Sequence, residues 1–181
     1  MKPLDRFLQE WRFRAASPWI PDGARVLDIG CHEGELFKRI GHRLGASVGI
    51  DPLARDFALD NWRCYRFEFF DRLPYEPRAF DCITMLATLE HIQQKDALAR
   101  ECNRVLELEG RVVMTVPSQL VDRILKGLIR LRLVEGMSLD QHHGFDPANT
   151  PHTFAKEGFG LIHSRRFQFG LNNLFVFNRR W

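Results

Sequence analysis

The chain has 181 residues, 45% hydrophobic and 27% charged, enough for one domain with a continuous apolar core that needs neither disulfides nor a structural metal. A net charge of +3 excludes a nucleic-acid or membrane binder driven by bulk charge, and the basic excess sits at the two ends, with Arg165, Arg166, Arg179 and Arg180 and no acid in residues 161–181. The four cysteines at 31, 64, 82 and 102 form no C-x-x-C and read as buried thiols of a reduced, cytoplasmic protein, consistent with the lack of a signal core or an apolar run of about 18 residues.

Pro3 opens an amphipathic helix whose apolar stripe is Leu4, Leu8, Trp11 and Ala15, with Arg6, Glu10 and Arg14 opposite, and Ser17-Pro18 closes it. Residues 25–30 form a short apolar strand after a Pro-Asp-Gly turn. A glycine loop follows, then a helix with Leu36, Phe37, Ile40 and Leu44 on one face. Residues 47–50 and 64–67 are the next strands, joined by a segment with room for a short helix; residues 80–86 are the fourth. Residues 95–108 read as a helix burying Leu98, Cys102, Val105 and Leu106 and stopped by Gly110, and residues 111–116 as the fifth strand. An amphipathic helix spans 120–134, residues 141–151 are irregular, and 153–157 are helical with Gly158 as the stop. Strands at 161–167 and 174–178 flank turn chemistry at 170–173 and form an antiparallel edge hairpin.

Strands alternating with helices predict an α/β, Rossmann-like, doubly wound and mostly parallel sheet of seven strands, with helices on both faces and the hairpin at one edge. The whole of 1–181 is one domain, with an N-terminal helix and linker at 1–21 and a lid region at 118–151. In such a sheet the ligand lies beyond the carboxyl ends of the strands. Strand one ends in D-I-G-C-H-E-G at 28–34, and strand two in Asp51, twenty-one positions after Gly30, where an acid can bind both hydroxyls of an adenosine ribose. His32 breaks the spacing of a dinucleotide cradle, and no Gly-Lys-Ser or Gly-Lys-Thr forms a P-loop.

These residues resemble the class I S-adenosylmethionine-dependent methyltransferases, particularly the small-molecule group whose first motif reads V-L-D-I-G-C-G-x-G; residues 26–34 match it except at His32. The likeness continues in order. Gly49-Ile-Asp51 resembles the acidic second-strand motif, Leu73-Pro-Tyr75 the L-P-F before the fourth strand, and Phe80-Asp81 through Leu89-Glu-His-Ile92 the F-D to L-E-H-I segment. Val105-Leu106 before Glu109-Gly110 resembles R-V-L-K-P-G-G, and His142-His-Gly-Phe145 and Glu157-Gly-Phe159 resemble late family elements, so the likeness covers about residues 20–160.

The resemblance implies S-adenosylmethionine as cofactor. Gly30, Cys31 and Gly34 would line its methionine and sugar side, while Asp28 would either organise the turn or receive the amino group. Asp51 would hold the ribose, Glu68 the adenine amino group and the Phe69 amide the ring; Leu86 and Ala87 would pass under the methionine portion. A Cβ at His32 narrows the space above the cofactor and is tolerated where φ stays negative. Relatives with E-x-x-E-H hold a divalent metal. Ala87 occupies the first glutamate position here, so no metal is expected.

The sulfonium methyl is already electrophilic, so alignment and exclusion of water carry the catalysis, and a histidine can serve as base for an oxygen acceptor. His91, His142 and His143 are the candidates; the latter two either stabilise their loop or face the substrate. The expected activity is in-line methyl transfer to an oxygen or nitrogen of a small, acidic or lipid-linked molecule. A noncatalytic cofactor sensor is the alternative, and an RNA methyltransferase a more distant one, since no nucleic-acid module is present. The 120–134 helix is either a lid over the acceptor or, through Arg123, Lys126, Arg130 and Arg132, a peripheral membrane contact.

Overall fold

Val26–Ile29, β1, is buried on every residue and lies at the middle of a sheet whose neighbours are also strands of the predicted apolar runs. The computed structural model describes residues 3–118 and 146–180. The expected helix at 120–134, His142, His143 and most of the lid region therefore lie outside the described residues. The remaining strands are β2 (Ser47–Asp51), β3 (Phe57–Leu59), β4 (Trp62–Arg66), β5 (Phe80–Leu86), β6 (Leu106–Pro117), β7 (Phe159–Phe167) and β8 (Asn172–Arg179), and the helices are α1 (Pro3–Ala16), α2 (Glu35–Ile40), α3 (Lys95–Val105) and α4 (Thr150–Lys156).

Spatial order is β3-β4-β2-β1-β5-β6-β8-β7. The β4-β2-β1-β5-β6 core is parallel, with Asp28 opposite Gly49 on one side and Thr84 on the other. β8 runs antiparallel to β6, and β7 antiparallel to β8, giving the expected edge hairpin. From β1 the chain steps outward through β2 and β4, then returns to β5 on the other flank. The strand order thus reverses between the ends of β1 and β5, where open α/β sheets bind ligands.

Period-two alternation divides the core between the two faces. Leu27, Ile83, Met85, Val112, Met114 and Phe177 pack with Leu98, Ala99 and Cys102 of α3 and Phe154 of α4. Val26, Cys82, Val113 and Val176 pack with Phe13 and Ala16 of α1 and Leu36 and Phe37 of α2. All four cysteines are buried free thiols.

Three expectations are corrected. The sheet has eight strands, because the segment expected to hold a short helix forms β3, folded back on β4 through Asp60-Asn61 with Asp60 at φ 49°. The helix expected over 95–108 ends at Val105; residues 106–108 open β6 instead, with Leu106 opposite Phe80, and the chain bends at Glu109 (φ 61°) and Gly110, where a Cβ would lie 2.7 Å from Leu106 Cγ. The inward face of α1 centres on Phe13 and Ala16 rather than on Trp11 and Ala15, which are only partly buried. Arg39 stacks over the Phe13 ring at 4.2 Å and helps fix that rotation.

Candidate functional site

Two cavities open at the strand-order reversal and meet at Gly30. The larger, about 580 Å³, is lined by Asp51, Glu68, Phe69, Ala87, Thr88 and His91, among others. The smaller, about 170 Å³, is lined by Asp28, Gly30, Cys31 and Leu86 and roofed by Gln9, Arg12 and Phe13 of α1. Eight of the nine expected cofactor residues thus border one or both spaces. Gly34 borders neither: at φ 73° it precedes α2, and a Cβ there would lie 2.8 Å from Trp62 Cζ3, so its bareness serves close packing.

The turn after β1 is shaped by its own amides. Gly30 and Cys31 N–H donate to Ile50 O at 2.8 and 3.2 Å, and Gly34 N–H donates to Cys31 O at 2.8 Å. Gly30 has φ 85°, and any Cβ on it would run into the Thr88 side chain. His32 also takes a left-handed conformation, φ 50°, so the negative angle under which its Cβ would be tolerated is not the one it adopts. Histidine is among the few non-glycine residues found in that region with some frequency. Its N–H donates to Asp51 Oδ2 at 3.1 Å, and its Nδ1 lies 3.2 Å from Glu35 Oε1 on the surface.

Asp51 ends β2, with its carboxylate also accepting from Leu53 N–H at 2.7 Å. Those two amides orient it toward the larger cavity, which Glu68 and Phe69 reach from the segment after β4. Asp28 is buried, with Oδ1 accepting from Thr84 Oγ1 at 2.6 Å. Burial pushes its carboxyl up to about 7, against the lowering effect of the Thr84 bond. A hydrogen bond with Cys64 and burial keep the Cys31 thiol protonated.

His91 sits at the mouth of the larger cavity, exposed, on the short 3-10 turn Leu89–His91, with Nε2 4.0 Å from Glu90 Oε1. Glu90 itself points inward; its Oε2 is buried without a hydrogen bond, and burial raises its carboxyl to about 7.

Arg12 is the site residue that the sequence reading missed. Its Nε is buried with no hydrogen-bond partner, and burial lowers its pKa against the attraction of Glu90 and Asp5. The local signal was ambiguous. An arginine on an amphipathic helix normally marks the solvent face, although the spacing Gln9, Arg12, Phe13, Ala16 is itself a helical stripe.

A glycine turn after the first strand, an acid closing the second and a crevice at the switch point define an α/β protein that binds a nucleoside-bearing cofactor. The model of the methyltransferase domain family matches residues 3–166. The chain belongs to that family, the S-adenosylmethionine-dependent methyltransferases. It is 28% identical over 125 residues to a ubiquinone biosynthesis O-methyltransferase of Idiomarina loihiensis, covering 63% of this chain and 51% of the relative. It is also 28% identical over 113 residues to a ubiquinone/menaquinone biosynthesis C-methyltransferase of Xylella fastidiosa, covering 55% and 45%. The chain thus spans about half the length of these curated relatives. An S-adenosylmethionine-dependent methyltransferase from Mesorhizobium loti shares the fold, with a TM-score of 0.71 at 16% identity over 92% of this chain and 96% of that one. Among the described residues no helix is long and apolar enough to cross a membrane.

Proposed function

We propose that the chain binds S-adenosylmethionine across both cavities and transfers its methyl group to an oxygen or nitrogen of a small molecule entering beside His91. The observation that carries this reading is that Arg12, whose buried Nε has no hydrogen-bond partner, and the buried carboxyl of Asp28 line the same smaller cavity. A free amino acid group presents the complementary charges, a carboxylate for Arg12 and an ammonium for Asp28. Asp51 would receive the ribose hydroxyls, Glu68 the adenine amino group and the Phe69 backbone the ring edge. Gly30 leaves the space between the two ends open, and Cys31, Leu86 and Ala87 wall it. The larger cavity, at about 580 Å³, lies within the range of small-molecule sites, about 300 to 1,000 Å³, and the smaller extends it at Gly30.

When bound, the cofactor supplies an electrophilic methyl on a sulfonium, so the protein need only align the acceptor and keep water out. Phe13 and α1 close the methionine end. His91 stands where it can take a proton from an alcohol or phenol acceptor, a contribution of about a hundredfold or more. A further cavity of about 540 Å³ at the same end of the sheet is bordered by Ser164, Arg165, Arg166 and Asn173 and by one acid among the described residues, Asp146; the excess of arginine supports an acceptor carrying an acidic group.

Calorimetric titration with S-adenosylmethionine, its demethylated product and NAD tests the binding half. Both sulfur ligands should bind and NAD should not, and Arg12→Gln should weaken both by at least about tenfold. Wild-type affinity in Arg12→Gln would remove the arginine from the site. Binding without methylation of any acceptor in a mass-shift screen would favour the sensor over the enzyme.

A further inference from the structure

The side of α1 turned away from the cofactor carries a row of aromatic rings that the proposed reaction does not use. Phe7 meets Trp11 edge to face at 5.6 Å, and Trp11 meets Phe169 in the same way at 5.6 Å. Phe7 is 57% exposed and Phe169 is 91% exposed at the tip of the β7–β8 turn. Burying these rings elsewhere would be favourable, yet the turn holds Phe169 outward at a conformational cost. Gln168, Phe169 and Gly170 all have positive φ, at 52°, 56° and 84°, a conformation that L side chains avoid. It is fastened from beneath. The buried Gln168 side chain donates to Leu8 O of α1 at 2.6 Å and accepts from Asn172 Nδ2 at 2.8 Å, which ties the turn to α1.

The rim of this row is cationic. A groove of about 490 Å³ between α1 and β7 brings Arg14 and Arg165 beside Phe7 and Trp11. Arg6 is exposed on the same helix, and neither it nor Arg165 has an ion-pair partner among the described residues. Glu10, which also lines the groove, binds Arg39 at 3.0 Å and Arg14 at 3.4 Å, and Asp5 interacts with Arg12, so the acids of α1 leave the charges of Arg6 and Arg165 uncompensated. Exposed aromatic rings edged by arginines match the headgroup boundary of an anionic bilayer, where the rings enter the acyl margin and the guanidinium groups meet lipid phosphates.

We infer that Phe7, Trp11 and Phe169, with Arg14 and Arg165, form a surface that docks peripherally on an anionic lipid bilayer. None of these five residues lines either cofactor cavity. The test is co-sedimentation of the full chain with vesicles of phosphatidylcholine alone and of equal parts phosphatidylcholine and phosphatidylglycerol. The protein should partition to the anionic vesicles, Phe169→Ser should reduce that partition by at least about tenfold, and Arg165→Gln by about fivefold. Circular dichroism and cofactor titration of both variants should match wild type, which separates this outcome from any failure of the cofactor site. No binding to anionic vesicles, or binding that both variants retain, overturns the inference. A dimer in light scattering that Phe169→Ser dissociates would also overturn it, assigning the face to a second copy of the chain.

Discussion

The backbone amide of His32 donates to Asp51 Oδ2 at 3.1 Å, tying the turn after β1 to the end of β2 through the one residue of the turn that departs from the family glycine. That bond requires the left-handed backbone at His32, φ 50°. Replacing it by glycine relieves the conformational cost but adds backbone freedom to the unfolded chain. His32→Gly should therefore raise the unfolding free energy by no more than about 1 kcal/mol, whereas His32→Val, branched at Cβ, should lower it by about 2 kcal/mol. Urea denaturation of the two variants checks this; equal stabilities would mean that the turn carries no strain.

Asp51 has a structural duty beside its proposed ligand role, since it also accepts from Leu53 N–H at 2.7 Å. Asp51→Ala leaves two loop amides without their acceptor, but those amides lie in an exposed turn and can turn to water. The fold should lose about 1 kcal/mol, while cofactor affinity falls by about a hundredfold or more as the charged acceptor of two hydroxyls disappears. Titration calorimetry beside a melting curve separates the two effects, and unchanged affinity would take Asp51 out of the site.

The sequence made the parallel core and the carboxyl-end motifs legible because each is local: an apolar run, a glycine turn, an acid at a strand end. Asp28, Gly30, Cys31 and Asp51 were found that way, and they surround the crevice. What escaped depends on tertiary placement. Arg12 has an ordinary helical context and becomes unusual only where α1 lies over Gly30. Gly34 was read with the cofactor, yet its missing Cβ makes room for Trp62, twenty-eight positions along the chain in β4 and unreadable from the motif. Leu73-Pro-Tyr75 was recognised by its order alone. Its physical anchor is α3, where Glu101 accepts from Leu73 N–H at 2.8 Å and Arg104 donates to Leu73 O and Tyr75 O at 2.9 and 2.7 Å.

Asp81 provides a contrast within the same motif-like stretch as His91, because it lies at the opposite end of β5 from the cavities. Its carboxylate takes Arg25 Nε at 3.0 Å, Arg25 Nη2 at 2.7 Å and the Arg25 amide at 2.8 Å, stapling the entry of β1 to β5. The pair is partly exposed, so solvent screens much of its charge. Asp81→Ala should cost about 1 kcal/mol of stability and leave cofactor affinity at the wild-type value. An affinity loss comparable to that of Asp51→Ala would show that the two ends of the sheet are coupled.

The pH dependence of stability should carry the signature of the buried carboxyls. Burial raises Asp28 and Glu90 to about 7, whereas an unfolded chain titrates them near 4. Between about pH 4 and 7 the folded state therefore binds more protons than the unfolded state, and stability falls as pH rises, by about 1.4 kcal/mol per pH unit for each group fully engaged. Asp81, Glu10 and Glu101 are held low by arginine partners, so their contributions fade only as pH drops through the acid range below that window. The ligand-free protein should accordingly unfold more readily at pH 8 than at pH 5. Asp28→Asn keeps an acceptor for Thr84 without a charge to desolvate, and should gain about 1–3 kcal/mol at pH 8 with little change at pH 5. If an ammonium group of the bound cofactor faces Asp28, saturating S-adenosylmethionine should flatten the wild-type slope while leaving that of Asp28→Asn nearly as it was. Urea unfolding at the two pH values, with and without cofactor, reads all four quantities, and a wild-type stability that climbs from pH 5 to 8 would contradict the assignment of these carboxyls.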